Sequence, residues 1–291
     1  MPFYQQTPSS TKAKEKLAGW LMSEYQLAER EFSFTWVQMK EGSNPIGAAH
    51  LGDLTLYPAS VVKLFYMVAA FAWIESGDAS NTPELQKALS AMIKESSNDA
   101  TSYIVDLLTN TSSGAEMKAV SFETWLVKRR LIHEYFQRFK WEELERVVIT
   151  QKTWEDRPYG REHMSRLIPN NRNLLTTHAV ARLLMAIQQK TILKTSASCD
   201  SMMQLMHRPL SYPLYGFEPS SQRKGFLGEG LLPDCQLWSK AGWTSNCRHD
   251  AAIIQQGKDI IFFVIFLSKP KLAKDEEILP KTARHILENK F

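Results

Sequence analysis

Cysteine is scarce in this chain: Cys199, Cys235 and Cys247 are the only three in 291 residues, odd in number and without a repeated CxxC spacing. That argues against a disulfide framework and a structural zinc site, and it leaves free thiols. Long hydrophobic runs are also missing. The run Ile260 to Leu267 is far shorter than the ~20 residues a membrane helix needs. The first residues, MPFYQQTPSSTKAKEK, contain no apolar stretch of signal-peptide length, so a cytoplasmic protein is expected unless an export signal has been removed. An excess of one charge is absent too, because 35 Lys and Arg stand against 31 Asp and Glu, mixed along the chain. No basic tail marks a nucleic-acid partner, and no feature marks a membrane. The net charge of +4 still favours an anionic small substrate.

What is present is an ordinary globular composition, 44% hydrophobic and 23% charged, long enough for a large core. No linker divides it, so residues 1–291 are expected to form one domain, acting as a monomer. Residues 11 to 28 carry Leu17, Trp20, Leu21, Tyr25 and Leu27 at helical spacing, and Phe32 to Met39 alternates like a half-buried strand. A short strand follows around Ile46 to Leu51. Tyr57-Pro58-Ala59 then opens an apolar helix from Ser60 to about Glu75, buried all round. Helices are predicted at Pro83 to Lys94, Asn98 to Leu108, Phe122 to Phe139 and Thr177 to Gln188. Strand signals return at Gln236 to Trp243, Asp250 to Gln255 and Asp259 to Leu267, and a last helix spans Asp275 to Asn289. One early hairpin and three late strands must share a sheet. The fold class is therefore α+β (mixed α/β), with an α/β lobe (about 1–56 and 230–291) around an inserted helical lobe (about 57–229).

Three short motifs carry chemistry. Ser60-Val61-Val62-Lys63 is an SxxK element that places serine and lysine on one helix face. Serine is a poor nucleophile without a base, and lysine is a base only where burial or a second cation lowers its pKa. The following LFYMVAAFAWI is too apolar for an ordinary solvated lysine on its first turn. Ser96-Ser97-Asn98 is an SxN element at a helix start, and Lys240-Ala241-Gly242 is a KxG element on a strand.

In this order and these contexts the trio resembles the serine β-lactamase and penicillin-binding family, closest to class A β-lactamases. The resemblance covers most of the chain and includes Leu174-Leu175-Thr176-Thr177 with the ARLLMAI helix after it. It implies a five-stranded antiparallel sheet flanked by helices, no cofactor, and a small-molecule substrate: a β-lactam, peptide or ester. It further implies that Ser60 is acylated, Lys63 takes its proton and Ser96 relays that proton to the leaving group. Asn98 would hold Lys63 and a substrate amide, Lys240 a substrate carboxylate, with Ala241 and Gly242 lining the substrate strand. The N–H groups of Ser60 and Trp243 would form the oxyanion hole.

The chain departs from class A in the loop that supplies the deacylating glutamate. Aligned on Ile168-Pro169, the glutamate position falls on Arg161 and its asparagine partner on Ser165, while Glu162 lies one residue away. Glu162 is thus the candidate base, and a slowly deacylating D,D-peptidase or esterase-like relative is the alternative. A non-catalytic ligand-binding relative is a third reading. About thirty extra residues within 122–157, basic and amphipathic, form either a solvated helical face or a lid or partner surface. Cys247, His249 and Asp250 invite a metal reading, but alternate strand residues face opposite ways, so no metal is expected.

Overall fold

The computed structural model describes residues 2–40, 42–154, 157–210, 222 and 224–291. Five strands, β1 (Phe32–Lys40), β2 (Ile46–His50), β3 (Cys235–Thr244), β4 (Cys247–Gln256) and β5 (Asp259–Leu267), form one antiparallel sheet in the order β2-β1-β5-β4-β3. The early hairpin and the late strands share it as expected. β1 differs from the predicted half-buried strand: Phe32 through Gln38 are all buried, because β1 lies inside the sheet with both faces covered.

The helices are α1 (Pro8–Glu24), α2 (Lys63–Ser76), α3 (Pro83–Ser90), α4 (Asn98–Thr109), α5 (Ala119–Arg129), α6 (Leu131–Gln137), α7 (Gly160–Leu167), α8 (Thr177–Gln188), α9 (Ser196–Met206), α10 (Pro270–Ala273) and α11 (Ile278–Glu288). Strand alternation distributes the core. Phe34, Trp36, Leu237, Ala241, Phe263 and Ile265 pack with α1 and α11, whereas Val37, Phe262, Val264 and Phe266 pack with α2 and α8. On that second face the Thr177 hydroxyl of α8 meets Ser33 and Thr35 of β1 at 3.0 and 2.9 Å, so the polar residues of the strand are paired.

α2 is the axis of the helical lobe, and every residue from Lys63 to Phe71 is buried. Ala59–Ser76 is long and apolar enough to cross a membrane by length and composition, but 67% of it is buried within the chain's own core. The helix predicted over Phe122 to Phe139 is two helices, broken at Arg130. Its residues are also less solvated than an amphipathic reading suggests. Trp125, Arg129, Ile132 and Phe136 are buried, and Phe136 meets Phe65 of α2 edge to face at 4.9 Å.

Candidate active site

The SxxK element lies on a strained turn. Ala59 has φ +46°, a conformation costly for a residue with a β-carbon, and Ala59–Val62 form a 3₁₀ helix that passes into α2 at Lys63. The predicted α-helix thus starts three residues later than Ser60. Two anchors hold the turn. His249 Nε2 donates to the Tyr57 carbonyl at 2.9 Å while its Nδ1 accepts from the Leu267 N–H at 3.0 Å, which fixes a neutral tautomer. Burial lowers the His249 pKa to about 4. Gly242 supplies the second anchor: a β-carbon there would lie 2.8 Å from the Pro58 carbonyl oxygen and 3.2 Å from the Ser60 nitrogen. Only glycine lets β3 pass this close to the half-buried Ser60.

Ser96 reaches the same place by another irregularity. α3 runs into a π-helical turn, Ala91–Glu95, after which Ser96 takes a left-handed conformation (φ +60°) and Ser97 caps α4 by accepting from the Ala100 N–H. A π turn ends one helix and re-aims the next residue, here into the interior. Lys63 Nζ donates to the Ser96 carbonyl (2.6 Å), to Ser96 Oγ (3.2 Å) and to Asn98 Oδ1 (2.8 Å). Lys240 Nζ donates to Ser96 Oγ (2.9 Å), Gln222 Oε1 (3.0 Å) and the Ala241 carbonyl (2.7 Å). One hydroxyl therefore bridges two fully buried amines. The Lys240 pKa lies well below that of a free lysine, through burial first and then the charges of Lys63 and Arg208, with Asp250 opposing. Lys240 is deeper than a surface carboxylate clamp: a substrate carboxylate reaches this amine only by displacing an internal acceptor.

Three supporting residues carry no motif and were not foreseen. Gln222 accepts from Lys240 and from the Ala241 N–H (3.1 Å), and its amide donates to the Ile93 and Lys94 carbonyls of the π turn. It ties the Ser96 turn to β3. Arg208 donates to the Ile93, Lys94 and Ser239 carbonyls, its Nε has no partner among the described residues, and burial lowers its pKa to about 10. Asp250 accepts from the Leu227 and Ala251 N–H groups, and burial raises its pKa to about 6. Ala241 turns its methyl into the core shared with α1 and α11, and Trp243 exposes its indole while Nε1 donates to the Ala273 carbonyl at 2.7 Å.

Glu162 is placed elsewhere. It lies on α7, a regular helix where an irregular loop was expected, and its carboxylate meets Arg129 at 2.6 Å, Ser113 at 3.0 Å and Lys152 at 3.7 Å. Asp106 completes this buried network with Lys152 at 2.5 Å and Arg129 at 3.2 Å. α7 belongs to a loop whose neck is the Val148–Leu174 bridge and the Asn173 side chain, which accepts from the Thr150 and Gln151 N–H groups. Beside the neck opens a cavity of about 350 Å³ that includes Tyr57, Lys152, Trp154, Asn173 and Thr244. The sequence neighbours of Trp154, Glu155 and Asp156, lie outside the described residues. Among the described residues no group of three His, Cys, Asp or Glu side chains is placed to hold a metal.

A five-stranded antiparallel sheet with helices on both faces, and SxxK, SxN and KxG elements meeting between sheet and helical lobe, define the β-lactamase and transpeptidase fold. The chain belongs to the Beta-lactamase enzyme family, whose profile matches residues 12–289. Its structure is similar to a β-lactamase from Sphaerobacter thermophilus (15% identity, TM-score 0.64, 96% of each chain covered). It is also similar to PBP-A (16% identity, TM-score 0.65, 99% of this chain and 98% of the other). A third relative is the TLA-1 extended-spectrum β-lactamase (13% identity, TM-score 0.67, 97% and 99%). No curated protein sequence matches the chain.

Proposed function

We propose that this protein is a serine hydrolase of the class A β-lactamase type, acylated at Ser60 by a β-lactam or a related amide or ester and then hydrolysed. The observation that carries the reading is Ser96 Oγ held between the buried amines of Lys63 and Lys240. Two ammonium groups this close in a dry interior repel each other, and the repulsion is mutual. Lys63 then serves as the base for the Ser60 hydroxyl one helical turn away, with Asn98 fixing its amine. Ser96 passes a proton to the leaving nitrogen or oxygen, Lys240 supports that transfer, and the N–H groups of Ser60 and Trp243 face the developing oxyanion. The substrate is a small molecule and the enzyme works as a monomer.

One observation favours a second reading for the later step. Glu162 is paired with Arg129 and Lys152, and a carboxylate so paired is a weak base for activating water. Slow deacylation, as in a penicillin-binding peptidase, follows from that pairing. A point mutant of PBP-A has been solved as an acyl-enzyme complex with penicillin G, which makes this β-lactam the natural probe.

Intact-protein mass spectrometry after mixing with penicillin G tests both steps. A penicilloyl adduct on the wild type and none on Ser60→Ala supports the reading, and its decay rate assigns the protein to hydrolase or penicillin-binding behaviour. A wild-type protein that neither carries an adduct nor consumes penicillin G faster than Ser60→Ala, or labelling that survives Ser60→Ala, rejects Ser60 as nucleophile.

A further inference from the structure

The loop closed by the Val148–Leu174 bridge presents two arginines to a cleft that opens between Tyr57 and Thr244. The cavity at its neck begins at Tyr57, three residues before Ser60, and at Thr244, the residue after Trp243. Arg166 and Arg172 line it and also line an adjoining cavity of about 370 Å³ bounded by Arg157, Pro158, His163 and Leu167. Arg172 stacks over the Tyr57 ring at 5.4 Å. Both cations act on the Tyr57 phenol, lowering a pKa that burial raises. Lys152 also borders the first cavity, but its amine is engaged by Asp106 and Ser113. Among the described residues no Asp or Glu lines either cavity.

Arg166 is half-buried and Arg172 exposed, so both guanidinium groups reach the solvent-filled space of the cleft, unlike the buried Arg129, Arg208 and Arg248. Two guanidinium groups on the wall of one cleft, with no carboxylate among its described lining residues, are a recognition element for an anionic group, since the guanidinium fork matches carboxylate or phosphate oxygens. Trp154, Tyr57 and Asn173 supply apolar contact and an amide on the same wall.

We infer that the cleft lined by Arg166 and Arg172 binds a carboxylate or phosphate carried on the acyl side of the substrate. The inference rests on the proposed function for its orientation. Ser96 protonates the leaving group, so the leaving side of the substrate faces Ser96 and Lys240, and neither of these lines the cavity. The acyl side is the part that extends past Tyr57 and Thr244 into the cleft. Substrates with anionic acyl groups are then preferred over neutral ones of equal size.

The test uses a matched pair, carbenicillin and benzylpenicillin, which differ by one carboxylate on the acyl side chain. Second-order acylation rates are read by intact mass in wild-type protein, in R166Q/R172Q and in a distant K12Q/K87Q control of equal charge change. Wild type and control are expected to favour carbenicillin by about fivefold, as two partly exposed ion pairs allow, and the preference is expected to shrink with added salt. R166Q/R172Q is expected to lose it. An equal rate ratio in wild type and R166Q/R172Q overturns the inference. A second arm needs no chemistry at Ser60: equilibrium binding of phenylmalonate against phenylacetate, measured calorimetrically on the same proteins. If no penicillin acylates the wild type, the proposed function fails alone and this arm decides. Tighter phenylmalonate binding that disappears in R166Q/R172Q sustains the anionic cleft, and equal binding of the two acids, or a preference that survives the substitution, rejects it. Melting curves of all variants establish that they fold.

Discussion

Two buried charge clusters lie in this protein, and they are built on opposite plans. Around Ser96, the cations Lys63, Lys240 and Arg208 gather with Asp250 as the acid that opposes them. Around Glu162, two cations (Arg129, Lys152) meet two carboxylates (Asp106, Glu162) at 2.5 to 3.7 Å. The second cluster is balanced, and it joins α4, α5 and the loop that carries α7. The first is left with like charges facing each other in a dry place, the arrangement that the proposed chemistry at Lys63 requires. Under that proposal balance marks the structural cluster and imbalance the chemical one.

Removing a member of each should separate the two plans. Lys63→Ala is expected to slow acylation of Ser60 by about 10²–10⁴, the usual contribution of a general base, with little loss of thermal stability; a loss of stability without a loss of rate contradicts it. Arg129→Ala leaves two buried carboxylates short of a partner and is expected to destabilise by ~3–5 kcal/mol, read as a fall in the urea midpoint, while the folded fraction acylates within a few-fold of wild type.

Glu162→Gln sharpens the same contrast. Arg129 and Lys152 keep Asp106, so a smaller loss of about 1–3 kcal/mol is expected, and the lifetime of a penicilloyl adduct should stay within a few-fold. A hundredfold longer lifetime would restore Glu162 as the deacylating base.

The smallest effect lies between neighbours. His249, lowered to about 4, is held neutral, so its contribution to stability is complete above pH 6.5 and is lost as pH falls toward 4. Asp250, raised to about 6, has the opposite sign: its buried carboxylate destabilises above pH 6, and protonation relieves that as pH falls toward 4. Each shift corresponds to roughly 3 kcal/mol, and the two largely cancel. Asp250→Asn is expected to unmask His249, so that stability between pH 6.5 and 4 falls more steeply than in wild type; parallel urea-midpoint curves would refute the cancellation.

Much of this was legible in the residues. Thr177–Gln188 and Asp259–Leu267 carry periodicities strong enough to fix their ends, and the motif trio marked Lys63, Ser96, Asn98 and Lys240, which the fold brings into contact. What was hidden depends on contacts between distant positions. Gln222 bonds to carbonyls more than a hundred residues away, and no local pattern announces a glutamine that joins a π turn to a strand. The turn itself read as plain helix because Ala91–Glu95 keep good helix formers throughout. Glu162 was chosen by its distance from Ile168-Pro169. Spacing could not reveal that Arg129, from the extra segment, had already taken that carboxylate.

The Val148–Leu174 neck also bears on how this protein can change. With the neck clamped by Asn173 and the bridge, and Glu162 and Lys152 anchoring the inner side, the outward Arg166 and Arg172 can be exchanged without moving either anchor. The Ser60 turn is fastened separately, by His249 and by the close pass of Gly242. Selection or a designer can therefore rewrite what the cleft recognises while the reacting groups stay where they are.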